Sequence, residues 1–109
     1  IVVLAAWEDP YDREWELAIK ARAFDNGLPI VASNIIGKEN SFHFFGKSAI
    51  VDSMGRIQGI TQKYTQDYIY HTISKKDRDF NRKNFVTQLN EIQLDLYNKN
   101  SLKILNFNK

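Results

Sequence analysis

Residues 1–35 run strand, helix, strand, and that succession restricts the fold more than anything else in the chain. Ile1-Val2-Val3-Leu4-Ala5-Ala6-Trp7 is an unbroken apolar run of the kind buried on both faces, which points to an α/β or sandwich interior. Asp9 can cap a helix, and Pro10 can take its first position, where the missing N–H costs nothing. Residues 10–26 carry Trp15, Ala18, Ile19, Ala21, Arg22 and Phe24, several of them three or four apart, so a helix is expected there. Ala18, Ala21 and Ala23 would let that helix approach a neighbour closely. Gly27 supplies a left-handed stop, and Pro29 cannot continue the helix. Ile30-Val31-Ala32-Ser33-Asn34-Ile35 is the second strand. Two strands joined in this way make a right-handed crossover when they share a sheet.

Further along, Gly37 to Asn40 reads as a polar loop. Ser48–Asp52 and Arg56–Ile60 read as strands around the tight turn Ser53-Met54-Gly55, a hairpin pattern. Tyr68–Ile73 alternates aromatic and polar residues and is expected to form a fifth strand. Ser74-Lys75-Lys76-Asp77 has the spacing of a capping box, with Asp where Glu or Gln is usual. Phe85, Leu89, Ile92 and Leu96 fall at helical spacing, which suggests an amphipathic segment over 84–98. Asn98–Lys109 mixes Asn and Lys with single apolar residues and reads as a tail. No internal repeat is present.

At 109 residues the chain suits one domain, with a core that is possible but not generous. Its 43% hydrophobic and 26% charged residues argue against disorder, and the apolar run at the start is far short of the roughly 20 residues a membrane span needs. That start shows neither the basic opening nor the small-residue cleavage site of a signal peptide. The simplest expectation is a chain that begins inside a longer protein; a processed mature end is the alternative. The absence of cysteine excludes disulfides, thiolate metal ligands and a thiol nucleophile from these residues. It fits a cytoplasmic setting, which is the expected location. Residues 1–73 hold seven Lys or Arg against nine Asp or Glu, and residues 74–109 hold eight against four. The basic end is diluted by Asp77, Asp79, Glu91 and Asp95, so nucleic acid is not an expected partner.

Ala21-Arg22-Ala23-Phe24-Asp25-Asn26-Gly27-Leu28-Pro29-Ile30-Val31-Ala32-Ser33-Asn34, followed by Ile35-Ile36-Gly37, resembles a motif of the carbon–nitrogen hydrolases of the nitrilase/amidase superfamily. So does Phe45-Gly46-Lys47-Ser48-Ala49-Ile50-Val51-Asp52-Ser53-Met54-Gly55. The strand ending at Trp7 resembles the one that follows the family's cysteine elbow. The three stretches keep the family's order, and the likeness covers residues 1–73 as the C-terminal portion of the hydrolase domain. It is thin over 74–109, where only Leu94-Asp95-Leu96-Tyr97 is faintly similar. The resemblance implies an α/β fold that is part of a four-layer α-β-β-α sandwich. It implies a cofactor-free hydrolase of small amides, nitriles or carbamoyl compounds. In that chemistry a cysteine thiolate attacks the substrate carbon, a glutamate moves protons and a lysine steadies the charged intermediate. All three lie upstream of the matched stretches, so no catalytic residue is assigned within this chain. The resemblance further implies a homodimer or higher oligomer, with residues 74–109 packing on a partner subunit.

What the resemblance implies for substrate binding is Trp7 and Glu8, at the tip of the first strand, where α/β sheets commonly line ligand crevices. The plainer alternatives are a core aromatic and a solvated charge beside Asp9. Asn34 is expected to organise a loop, and Phe45 and Ser48 to shape packing. Arg22 and Asp25 are spaced for a surface ion pair. His43 reads as a loop histidine and His71 as a structural one; they are not spaced as metal ligands, and no metal site is expected. A non-catalytic module that serves oligomerisation is the rival to an enzyme, because fold likeness does not establish activity.

Overall fold

The computed structural model describes residues 1–85, so nearly all of the expected 84–98 helix and the tail lie outside the described residues. Strand β1 (Val2–Ala5) leads into helix α1 (Asp12–Asn26), which returns the chain to β2 (Ile30–Asn34). The hairpin β3 (Ile36–Glu39) and β4 (Phe42–Phe45) follows, then the hairpin β5 (Ala49–Val51) and β6 (Ile57–Ile60), and finally helix α2 (Lys75–Phe85). β1, β2, β5 and β6 form one sheet in that order, while β3 and β4 form a separate two-stranded sheet. β1 and β2 are parallel, with Val2 opposite Val31 and Ala5 opposite Asn34; the remaining pairings are antiparallel. The expected strand–helix–strand unit is therefore present with both strands in one sheet.

Helix α1 covers one face of that sheet. Trp15, Ile19 and Ala23, spaced by four, make its buried stripe and meet Ile30, Ala32, Phe45, Ala49 and Val51. Full burial of a side chain such as Ile19 stabilises by about 1.5–3 kcal/mol relative to exposure. Gly27 ends the helix in the left-handed region, φ 58°, and its N–H caps the Phe24 carbonyl, as its lack of a Cβ permits. The helix begins later than Asp9-Pro10 would suggest. Those two residues sit in a turn closed by Tyr11 N–H on the Glu8 carbonyl, and the Asp9 carboxylate is engaged by Lys63 and Tyr64 instead of capping.

The other face is only partly covered. β1 is not buried on both sides: Val3 and Ala5 lean on the core, whereas Val2 is 74% and Leu4 82% exposed. Tyr68–Ile73 does not add a fifth strand. It runs without regular structure, and Ile69 rests over Gly59 of β6, so this segment lies against the sheet there. The stretch Gly37–Asn40 is not a loop but largely β3, exposed along its length, with Asn40 at φ 53° in the hairpin turn. Ser74 does begin α2, its hydroxyl accepting the Asp77 N–H at 3.1 Å. α2 touches the body through Asn81, which donates to Ser53 Oγ at 2.5 Å, and Arg82, which donates to the Asn26 carbonyl at 2.9 Å.

Candidate functional site

The parallel pairing of β1 and β2 ends where β2 turns away: Ile35 N–H donates to the Ala5 carbonyl at 3.2 Å, and Ile36 already belongs to β3. Beyond that point the side chain of Asn34 takes over. Its Oδ1 accepts the Trp7 N–H at 2.7 Å, and its Nδ2 donates to the Trp7 carbonyl at 3.1 Å. The same Nδ2 also donates to the Gly46 carbonyl at 2.8 Å. Both amide hydrogens and the oxygen are thus committed, in a residue only 4% exposed. Ser48 completes the knot, its hydroxyl accepting the Asn34 N–H at 3.1 Å and donating to the Asn34 carbonyl at 3.3 Å.

Trp7 is half-buried and packs against the core, its ring 5.7 Å from that of Trp15 and tilted by 49°. Trp15 in turn donates its indole N–H to the Lys47 carbonyl at 2.9 Å. Lys47 lies in the left-handed region, φ 55°, which turns its carbonyl and side chain towards α1. Glu8 follows Trp7, bridges Phe44 of β4, and is half-buried; the next N–H, that of Asp9, donates to the His43 carbonyl at 2.9 Å.

Four carboxylates crowd this end of the sheet. Lys47 binds Asp12 at 3.5 Å and Glu16 more closely; Lys63 binds Asp9 at 3.1 Å and Asp12 at 3.3 Å and stands 5.6 Å from the centre of the Phe45 ring. The Tyr64 hydroxyl bonds Asp9, and that bond, with Lys63, holds the Asp9 carboxyl below its ordinary value although burial opposes it. Asp12 is likewise lowered: burial pushes it up, but Lys63 and Lys47 outweigh that. Of the four, Glu8 alone joins no ion pair among the described residues.

The structure thus brings Trp7 and Glu8 together with Asn34 and the Phe45–Ser48 loop. Phe45 is fully buried and Ser48 bonds the Asn34 backbone, so both shape packing as expected. Arg22 and Asp25 form no ion pair; Asn26 bonds the Arg22 carbonyl instead. His43 is on β4 and His71 on the irregular segment, both exposed. Lys47, Lys63, Tyr64, Asp12 and Glu16 escaped sequence reasoning because they meet only in the tertiary fold, across separations of up to 55 residues. A groove of about 310 Å³ lies at the other end of the strands, between the β5–β6 turn and α2, lined by Asp52, Arg56, His71 and Asn81 among others. Asp52 is spent there on the turn itself, accepting the Met54 and Arg56 N–H groups and the Gln58 amide. Among the described residues no cluster of three or more His, Asp or Glu could hold a metal ion. No helix among them is long and apolar enough to cross a membrane.

Residues 2–82 match the carbon–nitrogen hydrolase family. The chain belongs to that family. A probable nitrilase of Schizosaccharomyces pombe is 35% identical over 99 residues, covering 91% of this chain but 36% of the relative. A carbon–nitrogen hydrolase superfamily protein of Xanthomonas campestris, whose structure carries an arsenic adduct in its active site, superposes with a TM-score of 0.72 at 26% identity. That match covers 84% of this chain and 36% of the other. A carbon–nitrogen hydrolase of Helicobacter pylori shares the fold, with a TM-score of 0.70 at 22% identity over 87% of this chain and 37% of its own. The chain therefore spans about a third of the length of these relatives. Its α/β architecture is nitrilase-like, with α1 and the four-stranded sheet forming adjacent layers.

Proposed function

We propose that these residues form the C-terminal part of a hydrolase of non-peptide carbon–nitrogen bonds, whose cysteine nucleophile is supplied by polypeptide outside the 109 residues. Family membership carries this reading, together with the fact that none of the 109 residues is cysteine. Trp7 and Glu8 then face the substrate, a small amide, nitrile or carbamoyl compound. The half-buried indole gives an apolar wall, and the carboxylate of Glu8, unlike its three neighbours, pairs with no lysine among the described residues and can accept hydrogen bonds from an amide. The reaction would need only the thiolate, a proton-moving glutamate and a lysine, in a cytoplasmic homodimer or larger oligomer.

The same lack of a thiol supports a second reading, a non-catalytic module that serves oligomerisation. Ammonia release from a panel of small amides and nitriles separates the two. The 109-residue chain is expected to release none. A protein that also carries the cysteine-bearing segment is expected to turn over at least one compound and to lose that activity on thiol alkylation. Turnover by the 109-residue chain alone would overturn the proposal, and inactivity of the longer protein would favour the module.

A further inference from the structure

The geometry points to Asn34 as a positioning residue: its side chain replaces a missing strand rung and thereby sets where Trp7 and Glu8 stand. This rests on the reading of those two residues as substrate contacts. β2 departs after Asn34, so no main chain remains to pair with Trp7. The Asn34 amide offers one acceptor and two donors at the spacing of a peptide group, and it meets the Trp7 N–H at 2.7 Å and carbonyl at 3.1 Å. Its second amide hydrogen ties the Gly46 carbonyl at 2.8 Å, so the tip of β1 and the loop after β4 share one anchor. Few side chains do this. Asp keeps the acceptor but sets an oxygen against two carbonyls, Ser lacks the reach, and Gln overshoots by a methylene.

The chain contains two tryptophans, and both report on this place, since Trp7 and Trp15 lie 5.7 Å apart. Near-ultraviolet circular dichroism of the 109-residue chain, with Trp7→Phe to identify the paired signal, follows the position of Trp7 without any activity. Asn34→Asp is expected to abolish the paired signal while far-ultraviolet dichroism stays that of a folded protein. Ser48→Ala, which removes both hydroxyl bonds to the Asn34 backbone and leaves its side-chain amide alone, should lower the unfolding midpoint and keep the signal. An unchanged signal in folded Asn34→Asp, or equal loss in Ser48→Ala, would overturn the inference. If Asn34→Asp does not fold, Asn34→Gln serves in its place with the same expected outcome.

In the longer, cysteine-bearing protein, Asn34→Asp should lower kcat/KM by about tenfold to a hundredfold with the rate of thiol alkylation unchanged. Glu8→Gln and Trp7→Phe separate the two ideas. If neither changes kcat/KM, the substrate-contact reading fails while the optical result still decides the positioning. If both change it and Asn34→Asp does not, positioning fails alone.

Discussion

Gly55, in the β5–β6 turn, and Gly59, within β6, respond oppositely to an added methyl group. Gly55 sits at φ 75°, and a Cβ there would come within 2.9 Å of the Lys20 carbonyl of α1. Gly55→Ala is therefore expected to destabilise by about 1–3 kcal/mol, read from the urea midpoint. A Cβ on Gly59 would meet Ile69 at 3.5 Å, an ordinary contact, without unusual backbone. Gly59→Ala should be neutral or stabilising by up to about 1 kcal/mol, since glycine weakens a strand interior. Equal losses for both would show that Ile69 presses on β6 more tightly than an ordinary van der Waals contact. Residue roles set by local backbone, such as the stop at Gly27, could be read in advance. The role of Asn34 could be suspected from its motif, but its three bonds could not, because two of the groups it anchors belong to Trp7 and the third to Gly46.

At the scale of elements, charge explains where expectation failed. Asp9 did not cap α1 because Lys63 and Tyr64, distant in sequence, claim its carboxylate. The same contacts impose a pH dependence. Asp9 and Asp12 titrate below the ordinary 3.8 in the folded chain, so their stabilisation is present above 3.8 and lost as pH falls through the lowered values. Hydrogen bonding to Asp9 raises Lys63 above 10.5 and Tyr64 above 10.0; that stabilisation is present below 10.0 and lost as pH rises through the raised values. Asp9→Asn should lower the urea midpoint at pH 7, with the difference from wild type closing below pH 3.8 and above the raised alkaline values. A difference that persists unchanged at both extremes would exclude the network as its source. β3 was missed for a related reason: all four of its residues are exposed, so burial left no apolar alternation to read. Tyr68 and Tyr70 gave the converse error. They supply the alternation, yet stand 82% and 89% exposed, and only Ile69 between them finds the sheet.

At the scale of the whole molecule, the parallel β1–β2 unit and the β5–β6 hairpin were legible because each follows from a local pattern and a short connection, and the nitrilase-like α/β class was legible through the motif resemblance. The bare face of the sheet was not, since an apolar run looks the same whether its cover is present or not. Val2, Leu4 and Val31 lie on that face, 74%, 82% and 38% exposed. In a four-layer sandwich a second sheet stacks at this position. Without it, the 109-residue chain is expected to self-associate, and Leu4→Gln should reduce the association measured by sedimentation while leaving the unfolding midpoint within about 0.5 kcal/mol. A wild-type chain that sediments as a monomer at every concentration would contradict this.

Among the described residues β1 also has a neighbour on one side only. The carbonyls of Ile1 and Ala5 and the N–H of Trp7 all turn towards β2 or its Asn34 side chain, which assigns the odd-numbered residues to the paired side. The even-numbered amides, Val2, Leu4 and Ala6, face outward. Deuterium should therefore enter this strand with a two-residue rhythm, fast at 2, 4 and 6 and slow at 3 and 5. Trp7, past the last regular rung, should exchange as slowly as the interior of the strand, and Asn34→Asp should speed it. Those outward amides have no partner among the described residues, so their exchange reports directly on whether anything further pairs with this edge.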